Sequence, residues 1–262
     1  MHKALHRRVF YSVKEKGNWA CVHPCTATEL QSPEQLLTWA KTHQRVTAFI
    51  ADTGQQAEGP IYHIRWFSPT QEIQLCGHAT LAAADIVLTH LHPAANQVTF
   101  HYAHDMLHVT QLKAQLYIMR INNIKLYPAP RPYELKRLLN VPLGRIMETQ
   151  AEDGYYVIQL PNRAHVADFT LPAKQYSAFT KRALIVTSRD ILSVNDIYFR
   201  YFAPQYGAPE DPATGSAAPV LSAFWHVRTS EVYTCRQLSA EGGIYQLYWD
   251  NDHTHIVTLV GE

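Results

Sequence analysis

The chain has 262 residues, 47% hydrophobic and 17% charged, an ordinary globular composition for one large domain or two of about 130 residues each. Twenty-three basic against 22 acidic residues leave a net charge of +1, so charge points to no nucleic-acid partner, and no apolar window of about 18 residues points to a membrane. Cys21, Cys25, Cys76 and Cys235 form no disulfide framework and the first residues lack a signal-peptide core, so a reducing, cytoplasmic setting is the expectation.

In chain order, Pro33–Thr42 reads as a helix and Ala48–Ala51 as a strand. Ile61–Phe67 alternates and is rich in β-branched and aromatic residues, so it reads as a strand, which Pro69 ends because proline cannot donate to a ladder. From Cys76 to Leu91 the run CGHATLAAADIVLTHL reads as a helix with Gly77 and His78 in its first turn. Strands are expected over Gln97–Tyr102, Leu107–Leu112 and Gln115–Ile121, with His101, His104 and His108 as surface residues around them. Lys125–Arg131, with two prolines, reads as the connection between an N-terminal lobe (1–124) and a C-terminal lobe (125–262), the last strand returning to the first lobe as an open alternative. The second lobe starts with a helix over Pro132–Leu139 and strands over Gly154–Gln159, Ala183–Thr187 and Ile197–Phe202, the last ended by Pro204. A second alanine-rich run, DPATGSAAPVLSAFW from Asp211 to Trp225, reads as a helix with Gly215 and Ser216 in its first turn and Pro219 tolerated near its start. Strands over Glu231–Cys235, Tyr245–Trp249 and Thr254–Leu259 complete the chain, while Trp39, Trp66, Trp225 and Trp249 read as packing residues.

The most informative feature is an internal echo. Arg65-Trp66-Phe67-Ser68-Pro69 reappears 135 residues later as Arg200-Tyr201-Phe202-Ala203-Pro204, and each copy is followed by a polar loop, a glycine and an alanine-rich run. An offset near half the chain is what duplication of one lobe leaves behind. Each copy then offers a helix start, where unpaired N–H groups and the helix dipole favour an anion and glycine admits it to the backbone. Two such starts would make a cleft between the lobes that grips a carboxylate. Cys76 and His78 stand beside the first start, and Glu210 and Asp211 beside the second. This set suits removal of a proton from a carbon next to a carboxylate, with the helix ends stabilising the charge that develops.

Plainer readings stand beside these. His78 taken alone is a local cap, Cys76 a small buried residue, and Glu210-Asp211 before Pro212 a turn leading into a helix. Cys21-Val22-His23-Pro24-Cys25 has metal-type residues but no matching second pair, so no metal is expected there. Dinucleotide, P-loop and nucleophile-elbow motifs are absent from the sequence.

The blocks RWFSP-x2-E-x3-CGHATLAAA and RYFAPQYGAPEDPATGSAA resemble the two signatures of the PhzF-like, phenazine-biosynthesis isomerase family, with support from Gly17-Asn18 and from QLSAEGG at Gln237–Gly243. The resemblance implies the diaminopimelate epimerase-like fold, an α/β (α+β) architecture of two pseudo-symmetric lobes, each a curved mixed sheet wrapped around a central helix. It also implies an isomerase acting on a small carboxylated metabolite, with no cofactor, no metal and often a homodimer. Carried over by residue, His78 and Asp211 are the catalytic pair, and Cys76, Gly77, Thr214, Gly215 and Ser216 bind the substrate.

Two departures qualify that carry-over. Family members carry S-E-T-A-F in the first lobe, where the glutamate is the acid/base, but here the segment is Arg45-Val46-Thr47-Ala48-Phe49, and Val46 cannot move a proton. Glu241 stands where relatives often have arginine. A racemase using one cysteine at each helix start is disfavoured, since Cys76 has no counterpart in Asp211–Gly215. Three readings therefore remain: an isomerase working without the usual glutamate, a catalytically silent relative that binds a small anion or a protein partner, and a different reaction using Cys76 or His78.

Overall fold

The computed structural model describes residues 4–262 except 57, 104, 143, 191 and 230, and only the backbone of 206 and 208; His104 thus lies outside the described residues. The chain divides into two compact units, Met1–Ile121 with His255–Glu262, and Asn122–Thr254.

The first unit runs β1 (Leu5–Val9), β2 (Asn18–Pro24), α1 (Ala27–Leu30), α2 (Pro33–His43), β3 (Thr47–Gln56), β4 (Pro60–Phe67), β5 (Glu72–Ile73), α3 (Gly77–Ile86), β6 (Gln97–Tyr102), β7 (Asp105–Lys113) and β8 (Leu116–Asn122). The second runs β9 (Tyr127–Pro128), α4 (Pro132–Leu139), β10 (Ile146–Glu148), β11 (Tyr155–Gln159), α5 (Arg163–Ala167), α6 (Ala173–Phe179), β12 (Ala183–Arg189), β13 (Asp196–Ala203), β14 (Ala208–Glu210), α7 (Ala218–Trp225), β15 (Tyr233–Gln237) and β16 (Gly243–Trp249), and the last strand, β17 (His253–Gly261), belongs to the first unit from His255 onward. Within the first unit the end of β17 pairs with β1 and β8.

The sequence echo is a topological repeat. In the first unit β2 and β3 are parallel, β3–β4 and β4–β5 antiparallel, β4 and β6 parallel, β6 and β7 antiparallel. In the second, β11 and β12 are parallel, β12–β13 and β13–β14 antiparallel, β13 and β15 parallel, β15 and β16 antiparallel. Each unit packs its sheet on the alanine-rich helix of the repeat. All ten residues of α3 are buried, against β1, β2 and β3 among others, while α7 packs on β11 and β16. A helix made mostly of apolar residues, its few polar ones partnered, belongs in a core, and each large side chain such as Leu81, Ile86 or Phe224 contributes about 1.5–3 kcal/mol by leaving water.

The repeated arginine explains why its motif was kept in both copies. Arg65 forks onto Glu72 of β5 with two bonds of 2.7 Å and donates to the Leu30 carbonyl at the end of α1. Arg200 forks onto Glu210 of β14, again at 2.7 Å twice, and donates to the Ala167 and Phe169 carbonyls at the end of α5. One cation thus ties three elements together in each unit, in the planar geometry that favours arginine over lysine.

Several expectations change. The first alanine-rich helix is α-helical only to Ile86, and Val87–Leu91 continues as a π-turn in which the His92 amide reaches the Val87 carbonyl at 2.7 Å. The second begins at Ala218, so Gly215 and Ser216 lie in the turn before it and not in its first turn. Pro219 dictates this: its ring would clash with the Gly215 carbonyl were the helix to start earlier, and it has no N–H for that carbonyl. β1, β2 and the short helices α1, α5 and α6 were not foreseen. Gly17, in the connection between β1 and β2, has φ +70, and a Cβ there would sit 2.3 Å from the Val9 carbonyl oxygen, so the position admits only glycine. No helix among the described residues is long and apolar enough to cross a membrane.

Candidate functional site

The first unit presents the start of α3. Cys76 is its N-cap, in extended conformation, and no side chain caps the helix. The Cys76 carbonyl closes the first turn by accepting from the Thr80 amide at 3.0 Å and the Thr80 hydroxyl at 2.8 Å. The amides of Gly77, His78 and Ala79 have no intrahelical acceptor, as in any first turn. The Cys76 thiol lies 3.3 Å from His78 Nδ1, and both residues are buried. Burial pushes the His78 imidazole down to about 4, so at neutral pH it is an uncharged hydrogen-bonding ring. Val46 is half-buried just before β3, and its carbonyl accepts from the Cys21 amide at 2.9 Å.

Deeper in α3, Asp85 accepts from Arg7 Nε and, at 2.7 Å, from the Tyr117 hydroxyl, all three residues being buried. Burial, then the Asp85 carboxylate, push the Tyr117 phenol upward and keep it a donor. This ion pair fixes α3 against β1 and β8.

The second unit presents the turn Asp211–Ser216. The Asp211 carboxylate accepts from the Thr214 hydroxyl at 2.6 Å. Gln237, at the end of β15 and only 2% exposed, clamps the turn from behind: its Oε1 accepts from the Thr214 amide at 2.7 Å and its Nε2 donates to the Asp211 carbonyl at 2.5 Å. The Ser239 hydroxyl donates to the Pro212 carbonyl. Thr214, Gly215 and Ser216 are buried and Asp211 is half-buried.

Of the residues singled out from sequence, Cys76, Gly77 and His78 come together at the α3 start, and Asp211, Thr214, Gly215 and Ser216 in the clamped turn. Glu210 does not join them as a working acid, because Arg200 holds both its oxygens. Glu241 is exposed. Gln237 was noted only as part of a motif; its clamping role was missed, and Gln237 and Ser239 standing together in QLSAEGG were the available signal. His23 packs on Trp39 and Phe49, with ring centroids 4.4 and 5.6 Å away. Among the described residues no group of three or more His, Cys, Asp or Glu side chains could hold a metal.

Comparison with known proteins agrees with this architecture. Residues 8–246 match the sequence profile of a family described as phenazine biosynthesis-like protein. An uncharacterized isomerase of Pseudomonas aeruginosa is 32% identical over 207 residues, which is 75% of this chain and 72% of that protein. The human phenazine biosynthesis-like domain-containing protein is 29% identical over 222 residues, 75% of this chain and 74% of its own. The crystal structure of a PhzF-family phenazine biosynthesis protein from Enterococcus faecalis matches with a TM-score of 0.79 at 25% identity, covering 99% of this chain and 96% of that one. A probable proline racemase from Agrobacterium radiobacter matches with a TM-score of 0.59 at 10% identity over 98% of this chain and 90% of its own, a likeness of fold alone. The mixed α/β fold is therefore the one shared by PhzF proteins and these epimerase-like enzymes.

Proposed function

Because the chain belongs to the phenazine biosynthesis-like family, we propose that it is an isomerase that moves a proton on a small carboxylated metabolite without a cofactor. The observation that carries this reading is the buried start of α3, a ten-residue helix whose first-turn amides no side chain caps. Such donors suit an anion and would stabilise negative charge developing on a carboxylate-bearing substrate. The reading assigns Gly77 and Cys76 in the first unit, and Thr214, Gly215 and Ser216 in the second, to substrate binding. His78, neutral and hydrogen-bonding, positions the substrate. Asp211 takes the proton from the carbon beside the carboxylate, leaving the C–H electron pair delocalised, and the resulting acid returns it to another carbon of the same system. No net redox change or co-reactant is involved.

A second reading is favoured by one residue. Val46 offers no ionisable group where the family's acid/base glutamate is expected, which suits a silent relative that binds a small anion or a protein partner. Incubation in deuterated water with dihydro-hydroxyanthranilate and a panel of small carboxylic acids, followed by NMR, separates the two. Exchange of C–H for C–D by the natural protein, lost in Asp211→Ala, supports the isomerase. Silence from the natural protein with exchange appearing in Val46→Glu supports the silent relative.

A further inference from the structure

A cavity of about 300 Å³ opens in the second unit at the C-terminal end of α7. That end is opposite the Asp211–Ser216 turn, about 12 Å along the axis for eight residues. Three basic residues line it, Lys125, Arg145 and His226, and among the described residues no acidic one does. The Arg145 guanidinium lies over the Phe224 ring, 3.9 Å from its centroid, donates to the Phe224 carbonyl, and stands 3.4 Å from His226 Nε2. Its Nε is shut off from solvent without an acceptor. Burial lowers the proton affinity of Arg145, and no carboxylate among the described residues pairs with it. The positive charge is therefore offset only by the helix end and a ring face. Leu126, the exposed Tyr127 and Phe224 supply apolar walls beside the cations.

We propose that this cavity is a ligand site, separate from the two turns, for a small organic carboxylate with a flat apolar body. The volume suits a ligand of that size. A guanidinium and an ammonium that line one cavity suit a carboxylate, and the phenol and aliphatic walls suit the body. An anion there supplies the countercharge that Arg145 lacks.

The test is an NMR titration of the full, labelled chain with benzoate, with benzyl alcohol (body without charge) and with inorganic phosphate (charge without body). Benzoate is expected to shift the ring signals of His226 and Phe224 saturably, and the other two to bind about tenfold more weakly or worse. Arg145→Gln and Lys125→Gln are each expected to weaken benzoate by about tenfold or more. Lys125 is exposed, so its variant decides the matter should Arg145→Gln fail to fold. Benzoate that moves the Gly77 or Gly215 amides but not His226 overturns the proposal, as does undiminished binding by both variants. Phosphate binding as tightly as benzoate overturns the assignment of an apolar body.

Discussion

Replacing Gln237 with leucine tests whether the Asp211–Ser216 turn is held from behind. The two side chains have similar volume, so packing at the end of β15 is little changed, but two backbone partners are lost. The Thr214 amide loses its acceptor at 2.7 Å and the Asp211 carbonyl its donor at 2.5 Å. A buried polar group left without a partner costs about 1–3 kcal/mol. Thr214 is buried and bears the full cost, whereas half-buried Asp211 can regain water, so the total is roughly 2–3 kcal/mol. For a protein of this size that lowers Tm by roughly 4–10 °C. Calorimetry gives the shift, and amide hydrogen exchange localises it, with the Thr214 amide expected to lose protection more than the core amides of β12 and β13. An unchanged Tm together with unchanged Thr214 protection in Gln237→Leu would refute the clamp.

Three further outcomes follow from the same geometry. Burial depresses His78 from the ordinary histidine value of 6.5 to about 4, so the unfolded chain binds the extra proton first: this stability is fully present above about pH 6.5 and falls as pH drops towards 4. The loss amounts to about 3 kcal/mol, and urea midpoints across that range should show it in the natural protein and much less in His78→Gln. Asp85→Asn strands the buried Arg7 guanidinium and should cost about 3–5 kcal/mol in chemical denaturation; a change below about 1 kcal/mol would show that the pair is not closed in solution. Arg200→Gln should destabilise more than Arg65→Gln, because Arg200 and Glu210 are 14% and 23% exposed against 26% and 44% for Arg65 and Glu72; equal effects by urea midpoint would contradict the burial argument.

How far the sequence reaches depends on whether a feature is local. Strand Gln97–Tyr102 and helix Pro132–Leu139 were read to their observed ends, because alternation in one and an N-terminal proline with an amphipathic face in the other are carried within a few residues. β1 escaped because LHRRV reads as a charged surface stretch; Arg7 is nonetheless buried, and its partner Asp85 lies 78 residues away. No local pattern announces that pairing. The second alanine-rich helix starts later than the sequence suggests, because Gly215 and Ser216 match Gly77 and His78 by motif while Pro219, which a first turn tolerates, sets the boundary. Glu210 stands in the sequence as a titratable group beside the second helix start or part of a turn, and neither reading pairs it with Arg200, although both copies of the repeat carry an arginine followed by a glutamate. That recurrence was the visible sign of the fork.

The two copies divide scaffold from site in a way that the helix starts make plain. What stayed the same is mechanical: an arginine after each central strand begins, a glutamate on the next short strand, and a small helix end fastened by the same guanidinium. What diverged is the backbone that leads into the buried helix. In the first copy Cys76 leads directly into α3, and the unpaired amides belong to a helix whose dipole reinforces them. In the second, Pro219 holds the helix back, and the Asp211–Ser216 segment is a turn whose shape depends on Gln237, Ser239 and the Thr214–Asp211 bond. A helix start is rigid because its own ladder fixes it, whereas a side-chain clamp can be changed by one substitution. Variation among relatives in what they bind should therefore enter through the second turn and its clamp more readily than through α3, at the cost in stability that loss of the Gln237 bonds carries.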